Sequence, residues 1–337
     1  MMWEDEALAI EINNVSKQYK GGKVAVDDIS FSVRDGEIFG FLGPNGAGKS
    51  TTLKMLTTIL KPTSGTVRIK NIDVLKEPLK ARMQFGYVPQ EASVDDKLTG
   101  RENLYFQAKL YHLNDGVREK VEHILKLVKL TDEADKAVSS YSGGMKKRLE
   151  IGCALMNTPK VLFLDEPTLG LDIQSRKEIW QYIKMLNKDY GTTVFLTTHY
   201  LEEADEICDT ISIIDGGKIS VIDSPKNLKA SIGNEIVEIT LKEHEDEHYG
   251  QMKHLLEAME FVHTVKNVKN VFTVVLDDAD SRIMEIYEKL NASGLKVSNI
   301  SLKKVTLDDV YLHYTGKNFK EADSKLDELF KNTWMGA

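Results

Sequence analysis

The stretch "GEIFGFLGPNGAGKST", Gly36 to Thr51, decides how the rest of the chain is read. It opens as a buried apolar strand, passes through a loop of small residues and leads into a helix. That helix, "KSTTLKMLTTIL" (Lys49 to Leu60), carries Leu53, Leu56 and Leu60 on one face. The loop Gly43-Pro44-Asn45-Gly46-Ala47-Gly48-Lys49-Ser50 fits the pattern G-x-x-x-x-G-K-[ST]. Small residues let backbone N–H groups close around phosphates at the positive end of a helix, and Lys49 reaches the outer phosphate oxygens. The Ser50 hydroxyl is placed to ligate Mg²⁺. A glycine-rich turn with an incidental lysine would not account for the strand before it and the helix after it.

Working outward, "VLFLDEP" (Val161 to Pro167) is an apolar strand ending in two carboxylates. Asp165 stands where a P-loop protein holds Mg²⁺, and the adjacent Glu166 is the candidate base that orients and activates water. Two solvated turn carboxylates would be the default for an isolated Asp-Glu, but the P-loop already requires such a strand. Between them, "YSGGMKKRLEIGCAL" starts at Tyr141. Ser142-Gly143-Gly144 opens a helix with Leu149, Cys153 and Met156 on one face, a second helix N-terminus suited to an anion. Alone, this would be an ordinary serine cap.

The opening reads as antiparallel strands, "ALAIEINNV" and "AVDDISFSV", separated by the turn at Gly21-Gly22. Pro62, Ser64 and Gly65 end the first helix, and "TVRIKNIDV" returns to strand. Residues from about 98 to 158 are helical in pattern; strands resume at "VLFLD", "TTVFLTTH" and "TISIID" around the helix "SRKEIWQYIKML". Alternating strands and helices indicate an α/β core with a mainly parallel sheet and a helical insertion. Near residue 230 the style changes, and the rest reads β-α-β-β-α-β, a small α+β ferredoxin-like domain. The expected division is therefore 1–230, 231–316 and a tail, 317–337, with Phe319, Ala322, Leu326, Leu329 or Phe330, and Trp334 on one helical face.

The 337 residues suffice for a large domain plus a small one. No apolar run approaches the ~18 residues of a bilayer span, and the acidic start "MMWEDEALAI" lacks a signal-peptide pattern. Cys153 and Cys208 do not form a metal or disulfide framework, which favours the cytoplasm. A formal net charge of -8 argues against non-specific nucleic-acid binding. The loosely spaced His244, His248, His254 and His263 of the last domain read as surface histidines.

Taken in order, these motifs resemble the ATP-binding cassette (ABC) ATPases over roughly residues 7 to 230. The resemblance implies that ATP and Mg²⁺ are bound, with Thr51 completing the P-loop set. Tyr19, in "VSKQY", looks like the aromatic that stacks on adenine; Gln90, in "YVPQE", resembles the Q-loop glutamine that meets Mg²⁺ and water. Ser142, Gly143 and Gly144 resemble the signature motif, Asp172 in "LGLD" the D-loop, and His199 in "LTTH" the switch histidine at the γ-phosphate. The usual signature reads Leu-Ser-Gly-Gly-Gln; here Tyr141 and Met145 flank the core, and Met145 lacks the hydrogen bonds of a glutamine. "YSGGM", "EPTLGLD" and the later "LDDVYLHYTG" resemble the drug- and antibiotic-resistance exporter branch.

In that family the signature of one cassette completes the γ-phosphate site of another. One P-loop and one signature therefore imply a homodimer or a paralogous partner, working on separate integral membrane permease subunits at the inner face of the membrane. A soluble ABC ATPase that clamps nucleic acid or ribosomes is the alternative. It usually has two cassettes or a long coiled coil in one chain, and no nucleic acid is expected here. The last domain has no catalytic constellation; dimer stabilisation or regulation is its functional reading, a plain accessory fold the other.

One segment invites suspicion. "ENLYFQA", Glu102 to Ala108, contains the recognition site of a viral protease used to remove tags. Yet the Gln90-to-Ser142 spacing is normal for the family, whose members carry a similar T-x-RENL run. Thr99 and Glu102 form a capping box, and Leu104, Ala108 and Tyr111 share a face. The segment reads as the first native helix of the helical subdomain.

Overall fold

The computed structural model describes residues 7–232, 235–242, 246–268, 270–276, 279–317 and 319. Within the first unit, β1 (Leu8–Gln18) and β2 (Val24–Arg34) pair antiparallel. With β4 (Ser64–Ile69) and β5 (Ile72–Asp73) they form a sheet of order β2-β1-β4-β5. The central sheet contains β3 (Ile38–Leu42), β6 (Phe85–Val88), β7 (Val161–Asp165), β8 (Thr193–Thr198), β9 (Thr210–Asp215) and β10 (Lys218–Asp223). Its order is β10-β9-β3-β8-β7-β6, parallel except for the edge strand β10.

Every residue of β3, β7 and β8 is buried, which explains their near-continuous apolar sequence: both faces of a parallel sheet are covered. Phe31 on β2 stacks on Phe39 at 5.3 Å between centroids, Phe39 on Phe195 at 5.6 Å, and Phe163 meets Phe195 edge-on at 5.8 Å. Such aromatic pairs are worth roughly 0.5–1.5 kcal/mol each beyond simple burial. The same core takes Ile10, Ile12, Val67 and Ile69 from the antiparallel sheet and Leu53 and Leu56 from α1 (Lys49–Leu56). One apolar mass thus fixes both sheets around the P-loop helix.

That helix is shorter than its apolar spacing suggests. It stops at Leu56, because Thr58 turns to φ 62° and the Leu60 N–H donates back to the Lys54 carbonyl at 2.9 Å. Leu60 packs on the core from beyond the helix. After α2 (Pro78–Arg82), the helical subdomain comprises α3 (Gly100–Leu110), α4 (Val117–Leu127) and α5 (Gly143–Ala154). Returning to the core, α6 (Ile173–Tyr190) and α7 (Leu201–Ile207) flank β8.

The second unit begins at Pro225, because α8 (Pro225–Ser231) packs with α11 (Leu307–Thr315) and Ser231 Oγ lies 3.0 Å from the Tyr314 hydroxyl. This places the division before the change of style read near residue 230. Between those helices run β11 (Glu235–Leu241), α9 (Asp246–Glu257), β12 (Val262–Val268), β13 (Val271–Leu276), α10 (Ala279–Ala292) and β14 (Val297–Lys304). The antiparallel order β12-β13-β11-β14 is that of a ferredoxin-like sheet. Its core packs Val237, Ile239, Phe272 and Val274 against Met252, Leu256, Ile286 and Leu290. The amphipathic tail expected over 317–337 lies, from residue 320 onward, outside the described residues.

The protease-like segment is helix. Thr99 accepts from the Glu102 N–H at 3.1 Å, Glu102 accepts from the Thr99 N–H at 2.8 Å, and Leu104 and Ala108 are buried. A protease that needs an extended strand must first unfold α3. The native chain is therefore expected to survive digestion under conditions in which the heat-denatured chain is cut after Gln107. Electrophoresis of timed digests checks this, and rapid, clean cleavage of native protein would refute the helix.

Candidate functional site

The P-loop joins the carboxyl end of β3 to the first turn of α1. Gly48 caps that helix at φ 114°, and a Cβ there would lie 2.7 Å from the Ala25 carbonyl, so the turn admits glycine alone. The turn buries Lys49, whose ammonium donates to the carbonyls of Gly43 (2.8 Å) and Pro44 (3.2 Å) and lies 3.2 Å from Glu166 Oε1.

Asp165 ends β7, directly opposite Thr197 of β8. The Thr197 hydroxyl donates to Asp165 Oδ1 at 2.6 Å, and the Ser50 hydroxyl donates to the same oxygen at 3.4 Å. Burial pushes the Asp165 carboxyl above the ordinary carboxylate range, against the pull of the Thr197 bond. Glu166 behaves in the opposite way. Burial raises it too, but contacts with His199 and Lys49 outweigh burial and hold the carboxyl below its ordinary value. His199 Nδ1 lies 3.1 Å from Glu166 Oε2, an ion-pair distance without hydrogen-bond alignment. The Gln90 amide donates to the same oxygen at 3.5 Å.

Glu166 adopts φ 49°, a left-handed conformation that costs a residue with a Cβ about 1–2 kcal/mol. Its N–H donates to the Thr197 carbonyl and lies 3.1 Å from the Thr197 hydroxyl, which anchors the strained residue. Thr197 was not singled out from sequence, although it stands two places before His199. Its role depends on which strand lies beside β7, which the linear sequence does not state.

Tyr19, Asn45, Gly46, Gly48, Lys49, Ser50, Thr51, Gln90 and Glu166 line one cleft of about 210 Å³. Lys23 and Ala25, also unforeseen, complete its wall. Tyr19 is 40% exposed, with its hydroxyl 3.3 Å from that of Thr51, so its ring is open to a flat ligand. Gly43 and Pro44 serve through their carbonyls on Lys49, and Ala47 is buried in the turn.

Asp165 and His199 meet this lining through Ser50 and Glu166, and four further expected site residues are absent from it. Ser142 caps α5, accepting from the Met145 N–H at 3.2 Å. Gly143 and Gly144 form its first turn, and Gly144 allows Ser175 of α6 to approach: a Cβ would come within 3.1 Å of its hydroxyl. Asp172 caps α6, accepting from the Ser175 N–H (3.0 Å) and hydroxyl (2.7 Å), bonds that lower its pKa. Tyr141 finds its explanation here, donating its hydroxyl to the Glu133 carbonyl at 2.7 Å within the helical subdomain.

With this geometry in view, the likeness to known proteins is informative. Residues 26–169 match the family model described as ABC transporter, and residues 224–315 match the C-terminal domain model of DrrA1-3-like ATP-binding proteins. The daunorubicin resistance ATP-binding protein DrrA3 of Streptomyces coeruleorubidus is 36% identical over 318 residues, covering 93% of this chain and 98% of the relative. The chain belongs to the ABC transporter family.

Solved ABC structures agree with this membership. The cbiO1 protein of Clostridium perfringens, part of the ABC transporter complex cbiONQ, superposes with a TM-score of 0.63 at 30% identity, over 67% of this chain and 92% of that one. A dimeric, post-hydrolysis structure of the ATP-binding cassette MJ0796 with ADP and Pi gives 0.57 at 30% identity, over 64% and 98%. As an ABC ATPase the chain binds and hydrolyses ATP in the service of transport; the soluble-clamp alternative gains no support.

The raised Asp165 has a consequence for stability. A carboxyl whose folded pKa lies above its unfolded value stabilises the fold below the unfolded pKa and loses that contribution as pH rises through the folded pKa. At neutral pH the ionised form is therefore a liability. In chelator, Asp165→Asn is expected to raise the melting temperature by roughly 2–4 °C at neutral pH. The gain should shrink as pH falls towards the acid range, while hydrolysis with Mg²⁺ is lost. Calorimetry across pH checks it; a variant that melts lower at neutral pH would contradict the assignment.

Proposed function

We propose that this chain is one of two cassettes in a head-to-tail pair that hydrolyses Mg²⁺-bound ATP on the cytoplasmic face of separate membrane subunits, driving export of a drug-like compound. The observation that carries the proposal is a division of residues. Lys49, Ser50, Gln90 and Glu166 line the chain's own cleft, whereas Ser142, Gly143 and Gly144 do not. Supporting facts are the DrrA3 resistance protein as a near full-length relative, cbiO1 as part of a transporter complex, and the dimeric MJ0796 cassette. Among the described residues no helix is long and apolar enough to cross a membrane, in keeping with separate permease subunits.

The donor set suits Mg²⁺. Ser50 and Asp165 bring hard oxygens to one point, and Mg²⁺ is commonly held by one or two such groups with water and phosphate completing the shell. The raised Asp165 carboxyl is what a divalent charge would relieve. Ser50, Asp165 and the amide oxygen of Gln90 would hold the ion, which when bound supplies positive charge to the phosphoryl oxygens. The remaining work falls to the chain itself. Lys49 lies at the P-loop carbonyls, where it offsets phosphate charge, and Tyr19 offers a ring to the adenine. Glu166, held ionised by its neighbours, accepts the proton of the attacking water. His199 contacts the Glu166 oxygen that Gln90 also approaches, so the three report on the same reacting region.

Two experiments test this reading. Glu166→Gln is expected to slow hydrolysis by about two to four orders of magnitude while ATP still binds; near-normal turnover would end its assignment as the base. Separately, Lys49→Ala and Ser142→Arg chains should each be inactive alone. Mixed and allowed to exchange, they form one intact site in the hybrid pair, from the P-loop of one and the signature of the other, and turnover should return. Continued inactivity in a verified hybrid would mean that Ser142 does not act across a pair.

A further inference from the structure

Beyond the cleft, the first unit buries a carboxyl for which hydrolysis as described has no use. Glu203 on α7 is fully buried, and its Oε1 accepts from the Thr168 hydroxyl and the Trp180 indole N–H, both at 2.9 Å. Burial pushes this carboxyl up, while the hydroxyls of Thr198 and Thr168 and the Trp180 indole pull it back. Among the described residues Oε2 has no hydrogen-bond partner, and the charge of Arg176 on α6 adds to the downward pull. An apolar side chain here would leave the Trp180 N–H and the Thr168 hydroxyl without an acceptor, yet three apolar residues would pack the same place at lower cost, so stability alone gives no reason for the trio.

Its placement does give one. Thr168 stands two residues after Glu166, and Glu203 four residues after His199, so the Glu203 oxygen ties the segment bearing the base to the segment bearing the histidine. Trp180 makes α6 the third member of the tie. A second tie runs beside it. Arg176 of α6 donates to the Leu171 carbonyl at 3.0 Å, and its guanidinium lies 4.0 Å from the centre of the Tyr200 ring. Tyr200 follows His199, and Leu171 precedes Asp172, the cap of α6.

We propose that Glu203 is a positioning residue for hydrolysis, one that sets the separation of Glu166 from His199 and makes the His199 segment, α6 and Asp172 move as a unit. The inference rests on reading Glu166 as the base and deepens that reading. Any displacement of His199 by the phosphate end of the nucleotide is carried by Thr168, Glu203 and Trp180 to the D-loop residue Asp172.

The test uses the full chain with three readouts: steady-state hydrolysis, ATP affinity by equilibrium binding, and melting temperature. Thr168→Val removes one hydrogen bond at nearly constant volume. It is expected to lower kcat about ten-fold with KM and ATP affinity within two-fold. Glu203→Ala should lower kcat at least as far, and the double variant no further than Glu203→Ala alone, since both remove one tie. Glu203→Gln retains the acceptor oxygen and should recover most of the lost kcat.

Folded Thr168→Val and Glu203→Ala chains with kcat within two-fold of the wild type would overturn the proposal. So would a Glu203→Gln variant no better than Glu203→Ala, which would mean that the carboxylate charge, and not the acceptor oxygen of the tie, is what hydrolysis needs. Should Glu203→Ala fail to fold, Thr168→Val against wild type decides. An active Glu166→Gln defeats the base assignment, whereas an inactive Glu166→Gln beside a fully active Thr168→Val defeats the positioning role alone.

Discussion

The parallel register of β3, β8 and β7 is the constraint on which the first unit depends. Leu42 pairs with Thr198, and Thr197 pairs with Asp165, so three strands end level with one another. Neighbouring strands lie about 4.8 Å apart, and ends set level at that spacing bring P-loop, acidic pair and histidine within reach of one another. Ligands of open α/β sheets bind at such carboxyl ends. Everything that makes the strands apolar serves this alignment. The stacked rings of Phe31, Phe39 and Phe195, with Phe163 edge-on to the last, run across four strands and resist sliding of one strand past the next.

At that edge, two consecutive carboxylates are given different properties by their neighbours. Asp165 points to hydroxyls and stays costly to ionise; Glu166 meets Lys49 and His199 and ionises readily. A change of backbone conformation separates them, because Asp165 ends the strand and Glu166 turns left-handed, sending adjacent side chains to different partners. Local strain therefore creates the functional distinction: a regular strand would place alternate residues on opposite faces, one of them away from the cleft.

Much of this was legible in the sequence, because the phosphate-binding machinery is local. A P-loop declares itself over eight residues, and the apolar run before Asp165-Glu166 declares a buried strand. The β-α-β-β-α-β order of the second unit was equally readable, since its strands and helices keep clean two-fold and helical periods over short spans. Harder to read were features set by distant neighbours. Leu60 keeps helical spacing with Leu56, yet the helix stops before it, because a left-handed Thr58 and a capping bond override periodicity. Thr197 and Glu203 carry no motif: one matters because β8 lies beside β7, the other because α7 packs under Trp180 and Thr168. Tyr141 stood out as a departure from the usual signature, and the Glu133 carbonyl that accepts its hydroxyl is remote from any pattern.

Two helix N-termini that stand apart from the cleft explain why a single cassette is chemically incomplete under the paired reading. Serine and aspartate caps satisfy only part of the first turn of α5 and α6, and the dipole of each helix still favours an anion or a polar partner there. Gly144 lets Ser175 approach closely, so these two termini are packed together. Under that reading, a nucleotide in one copy that met the Ser142 terminus of the other would act on a terminus packed against the one that Asp172 caps. In such a pair, that packing would give each site a mechanical interest in the other and would tie hydrolysis to the closing of the pair.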